Sequence, residues 1–149
     1  MNDERQPHET TMRRAFLEAL CARFGVDVLY SFGSRALDVL RWRDGELDEL
    51  PPSTSDIDIG ALTARGVSLD VAAKVALAQA LEDALGVTRV DLVALADADP
   101  FLAANIIRGE RLYARDADEA DEYDLYVLRR AGDLAPFERE RMKMILERR

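Results

Sequence analysis

The stretch Ser55-Asp56-Ile57-Asp58-Ile59-Gly60 decides how the rest of the chain is read. It alternates acidic and β-branched residues, and side chains along a strand alternate faces, so Asp56 and Asp58 project the same way. A third acid, Asp91, sits inside another apolar run, Val90-Asp91-Leu92-Val93-Ala94-Leu95. An aspartate flanked by Val90, Leu92 and Val93 is a costly strand residue without a partner. If its strand lies beside that of Asp58 and faces the same way, three carboxylates converge. Such a cluster is self-repelling unless a divalent cation neutralises it, and hard Mg²⁺ takes oxygen ligands of this kind while sharing substrate phosphates. Upstream, Gly33 and Ser34 close the apolar run Val28-Leu29-Tyr30-Ser31-Phe32. A Gly-Ser turn there offers backbone N–H groups and a hydroxyl to phosphates.

Composition narrows the class. The 149 residues suit one domain spanning 1–149, and 48% hydrophobic with 33% charged content is that of a globular chain rather than a disordered one. A net charge of −9 with no basic patch before the C-terminus makes nucleic acid an unlikely substrate. No apolar stretch approaches the roughly 20 residues that span a bilayer. The polar N-terminus lacks an apolar signal region, and the single Cys21 cannot form an internal disulfide, so a cytoplasmic location is expected.

Residues 1–9 read as a loose leader. Thr10 or Thr11 caps a first helix running to about Phe24 and ended by Gly25, with Met12, Phe16, Leu17 and Leu20 as its apolar positions. A strand follows over 26–32, with Val28, Tyr30 and Phe32 on one face, and Ser34 caps a short helical turn over 35–39. Residues 40–50 read as an inserted β-hairpin around Asp44-Gly45, which would pair Trp42 with Leu47 between two opposite-charge pairs. Strands are expected at 56–62 and 88–95. Between them a helix begins at Ser68 and ends before Gly86, its stripe made of Leu69, Ala73, Ala76, Leu77, Ala80 and Leu81. Pro100 opens a short helix, Leu112-Tyr113-Ala114 forms an edge strand, and residues 119–149 form a helical region interrupted between Gly132 and Pro136.

Taken in order, Gly33-Ser34, Ser55-Asp56-Ile57-Asp58 and Val90-Asp91-Leu92-Val93 resemble the DNA polymerase β-like nucleotidyltransferase superfamily. The chain's small size and its Leu112-Tyr113 segment before an acidic helix are most similar to the minimal nucleotidyltransferase (MNT) antitoxins, which act with HEPN-domain RNase toxins. The resemblance implies an α+β fold, a small mixed sheet with helices packed against it and a helical C-terminal segment. It also implies transfer of AMP from ATP to a tyrosine hydroxyl of the toxin, in a hetero-oligomer with that toxin. Asp56, Asp58 and Asp91 become catalytic metal ligands, with Asp91 also helping to deprotonate the acceptor, and Gly33 and Ser34 become contacts to the β/γ-phosphates. Arg35 is a candidate for the same triphosphate, although an exposed arginine beside a loop is the commoner case. The interval from Ser34 to Asp56 exceeds the family's usual spacing of about a dozen residues, and the excess matches the proposed hairpin.

Two other readings stand beside this one. The chain could neutralise a toxin by occlusion alone, using the apolar positions Leu134, Phe137, Met142 and Ile145 of the last helix. It could instead modify a small molecule such as an aminoglycoside, drawn to an acidic pocket. Tyr113, Tyr123 and Tyr126 could accept a nucleotide in self-modification, but packing is the simpler use. Cys21 reads as a small core residue and His8 as solvated.

Overall fold

The computed structural model describes residues 5–147, with side chains from His8 onward. Its centre is a four-stranded sheet ordered β3-β2-β1-β4, with β1 Val26–Phe32, β2 Ile57–Thr63, β3 Val90–Ala94 and β4 Glu110–Ala114. β1 pairs antiparallel with both β2 and β4, while β2 and β3 are parallel, so the sheet is mixed. Parallel neighbours need a crossover, and α3 (Val71–Leu85) supplies it. Asp70 caps α3 by accepting a hydrogen bond from the Ala73 N–H, and Gly86 ends it in the left-handed conformation.

The two-residue period of the strands sorts their side chains into two apolar layers. Leu29, Ile57, Ile59, Ala61 and Val90 meet α1 (Arg5–Phe24), α2 (Ala36–Arg43) and α3 through Leu17, Cys21, Val39, Trp42, Leu77 and Leu81. Val28, Tyr30 and Phe32 meet α4 (Pro100–Ile107) and α5 (Ala117–Glu147) through Ala104, Ile106, Ala120 and Val127. Burying each large aliphatic residue stabilises the fold by about 1.5–3 kcal/mol. The expected shared face of Val28, Tyr30 and Phe32 is present. Cys21 is fully buried and its thiol pKa is pushed up to about 12 by desolvation, which makes it an unreactive core residue.

Several expectations are corrected. No hairpin forms at 40–50. Ala36, Val39 and Trp42 are the buried residues of α2, a helical stripe at i, i+3 and i+6. Asp44-Gly45 ends that helix, with the Asp44 N–H bonded to Leu40 O and Gly45 at φ +75°. Burying Trp42 against the core outweighs the local turn preference. The chain then runs irregularly to Asp56, held by side chains from elsewhere. Arg13 donates to the carbonyls of Trp42, Leu47 and Asp48, and Thr10 Oγ1 donates to Asp44 O. Ser34 does not cap α2, whose N-cap position is Arg35.

At the C-terminal end, α5 runs through Gly132 and Pro136 without a break. This stretch is largely exposed, so water can take the carbonyl that Pro136 leaves without a donor. In the first helix, Met12 and Phe16 are exposed, and Leu17, Leu20 and Cys21 carry the contact instead. That helix extends back to Arg5, so residues 5–9 are helical, and the rest of the expected leader lies outside the described residues. Among the described residues, no helix is long and apolar enough to cross a membrane.

Candidate active site

β2 and β3 run side by side in parallel with Asp58 opposite Asp91 and Ile57 opposite Val90. Ile57 and Val90 enter the core beneath α3, so the alternation turns Asp58 and Asp91 together to the opposite face. Asp56 precedes β2 on the Asp58 side of the alternation. The proximity shows in the electrostatics: Asp58's carboxyl pKa is raised, first by desolvation and then by the negative charges of Asp91 and Asp56.

On the other flank, β1 delivers Gly33 against the same carboxylate. Phe32 pairs with Asp58, and a Cβ built on Gly33 would lie 2.4 Å from Asp58 Oδ2. Gly33 also has φ +76°, a conformation that L side chains rarely adopt. Gly33 and Ser34 are exposed in the turn that leads to the start of α2. Gly109 makes the approach of β4 possible: a Cβ there would meet Ser31 O at 2.2 Å.

Arg35 differs from the expected exposed residue. It is only 7% exposed, and its guanidinium donates to Pro51 O (2.6 Å) and Ser55 O (3.2 Å), tying the segment before Asp56 to the start of α2. Its Nε is buried without a hydrogen-bond partner among the described residues. Arg35 also borders a cleft of about 600 Å³ between residues 49–56 and 85–89, which reaches Asp56 and Arg89. That is the size of a small-molecule site.

Sequence reasoning missed Arg89. Its Nε lies 3.2 Å and its Nη2 3.1 Å from Asp91 Oδ1, and its Nε lies 3.7 Å from Asp56 Oδ2. The signal was available, because a residue two before Asp91 shares its face of the strand. Tyr123 packs in the α4–α5 layer and Tyr113 against the other layer, while Tyr126 is exposed.

The three carboxylates fit a divalent cation in chemistry. They are hard oxygen donors, and the pKa of Asp58 is raised by burial first and by the charges of Asp91 and Asp56 second, both of which a bound cation would offset. As the side chains stand, no group of three His, Cys, Asp or Glu among the described residues is already drawn into a ligand set, so the carboxylates would have to rotate inward.

A model of the family described as "Polymerase beta, Nucleotidyltransferase" matches residues 17–118, which include all of the residues assembled here. Among solved structures, a chain from an MntA–HpeT toxin–antitoxin mutant is similar at 21% identity and a TM-score of 0.66, over 89% of this chain and 98% of that one. A toxin–antitoxin chain crystallised with AMP-PNP aligns at 22% identity and TM-score 0.64, over 89% and 98%. A complex of a tri-AMPylated Shewanella oneidensis HEPN toxin with its MNT antitoxin aligns at 21% and 0.64, over 92% and 98%. No curated protein matches in sequence. At these identities the structures establish the shared fold, and the family model establishes membership. With the paired aspartates and the Gly-Ser turn in place, the chain belongs to the polymerase β nucleotidyltransferase family.

Proposed function

We propose that this nucleotidyltransferase is an Mg²⁺-dependent antitoxin, transferring AMP from ATP to a tyrosine hydroxyl of a cognate HEPN toxin in the cytoplasm. The observation that carries the reading is the cross-strand pair Asp58–Asp91 on one sheet face, with Asp56 beside it and Gly33 closed against it. Asp56, Asp58 and Asp91 would hold the cation, which supplies charge neutralisation for phosphoryl transfer. Asp91 lies on the edge strand with its side chain partly exposed, and would take the proton from the attacking hydroxyl. The exposed N–H groups and hydroxyl of the Gly33-Ser34 turn hold the β- and γ-phosphates. Arg35 acts as the strut that fixes the segment leading to Asp56 beside the cleft. The related structures support a toxin partner and a nucleotide donor, since one holds AMP-PNP and another holds a tri-AMPylated HEPN toxin with its MNT antitoxin.

The test is to incubate the chain with ATP, Mg²⁺ and its toxin and weigh the toxin. A mass increase of whole AMP units on a tyrosine is expected. An unchanged mass under conditions that still block the RNase overturns the reading.

One observation favours occlusion as a second contribution. The distal part of α5 exposes Phe137, Met142, Met144, Ile145 and Leu146, an apolar surface that suits a protein partner. If the double variant Asp56→Ala, Asp58→Ala neutralises the toxin as well as the parent, occlusion suffices.

A further inference from the structure

The parallel register places Arg89 within the acidic site itself. Ile57 stands opposite Val90, and the Ile57 N–H points to Arg89 O at 3.4 Å, so the ladder continues one step before the paired residues. At that step Asp56 faces Arg89, as Asp58 faces Asp91 at the next. The result is a two-by-two array of three carboxylates and one guanidinium on a single face. Arg89 reaches both Asp91 and Asp56, while Asp58 has no such cationic partner among the described residues. The Arg89 side chain is 67% exposed and borders the cleft beside residues 49–56, so it has room to swing away without disturbing the core.

We propose that Arg89 is a built-in counter-cation that competes with the divalent ion for the oxygens of Asp56 and Asp91, and that it must turn into the adjacent cleft for the ion to bind. This rests on the metal-binding reading above. Arg89 lies on Asp91 Oδ1 and beside Asp56 Oδ2, and two cations cannot occupy the same carboxylate lone pairs, so an ion that draws on those two oxygens must displace it. Arg89 therefore sets the threshold of cation concentration at which the site loads.

The experiment titrates the chain alone with Mn²⁺ as a probe, following bound ion by electron paramagnetic resonance and heat of binding, with no nucleotide or toxin present. Arg89→Met is expected to bind Mn²⁺ about two- to fivefold more tightly than the parent, the scale of an exposed ion pair. The gain should shrink in high salt, where such pairs are screened. Arg89→Lys should return affinity toward that of the parent. Arg23→Met, which removes an equal charge on α1 across the sheet, should leave it unchanged. Equal or weaker Mn²⁺ binding by Arg89→Met overturns the competition and leaves the nucleotidyltransferase antitoxin reading standing. Absence of Mn²⁺ binding by parent and variants alike overturns both.

Discussion

Gly33 and Asp58 are in contact through the space that a side chain on Gly33 would fill: a Cβ there would stand 2.4 Å from Asp58 Oδ2. The glycine is therefore required twice, once for its positive φ and once so that the carboxylate can lie against the turn proposed to meet the phosphates. Gly33→Ala costs about 1–2 kcal/mol for the backbone conformation alone. The carboxylate sits at the end of a side chain and can rotate away, so function suffers more than stability. The expected result is a modest drop in thermal stability with a loss of transfer on the order of 100-fold, the scale of removing one electrostatic stabiliser. Denaturant melts beside single-turnover rates check it.

Asp58 carries a pH signature. Its carboxyl pKa is raised by burial and by Asp91 and Asp56. A carboxyl with a raised folded pKa favours the fold when protonated, and that contribution is lost as pH rises through the folded value. At neutral pH Asp58 therefore opposes folding. Asp58→Asn should raise stability without divalent ions by about 0.2–1 kcal/mol, the range for cross-strand pairs. The advantage should fade as the solution is acidified toward the range where Asp58 takes up its proton. With Mg²⁺ at 100 times its Kd the order reverses, since the parent gains about 2.7 kcal/mol that the variant forgoes. Melting curves across pH, with and without Mg²⁺, report both arms.

Arg35 is buried and spends its guanidinium on Pro51 O and Ser55 O. Arg35→Met keeps much of the volume and removes both donors, at a cost of about 1.5–3 kcal/mol per charged hydrogen bond lost. Hydrogen exchange should rise across residues 51–55, and KM for the nucleotide should rise with it. Unchanged protection of that segment would contradict the strut role.

Gly109 faces backbone rather than a mobile side chain: a Cβ would sit 2.2 Å from Ser31 O and 3.0 Å from Phe32 Cα. Neither atom can rotate away, so Gly109→Ala must displace β4 from β1. Overpacking of this kind costs about 1–3 kcal/mol or more. Urea unfolding should show the loss.

The strands were legible because their residues impose a period of two that survives in any context. Val26–Phe32 was found to the residue, and the shared face of Asp56, Asp58 and Asp91 follows from counting once β2 and β3 are neighbours. The end of α3 at Gly86 and the start of α4 at Pro100 were equally readable, since capping is local chemistry, but α3 starts at Val71 behind the Asp70 cap and not at Ser68, which leaves Leu69 outside its stripe. The segment 36–50 was not. Asp44-Gly45 serves a hairpin and a helix end equally well, and only the core that takes up Ala36, Val39 and Trp42 chooses between them. Gly132 and Pro136 were overread for a similar reason, because an exposed helix tolerates residues that a packed one would not.

The sequence by itself determined where the candidate site residues stand: three aspartates at strand spacing and a Gly-Ser turn ending an apolar run, each set by chain geometry over a few residues. Tertiary structure alone decided that β2 and β3 lie parallel with Asp58 opposite Asp91, that Arg35 turns inward to hold residues 51–55, and that Arg89 joins the acidic array. Those outcomes depend on register and burial between segments distant along the chain, and no local preference encodes either.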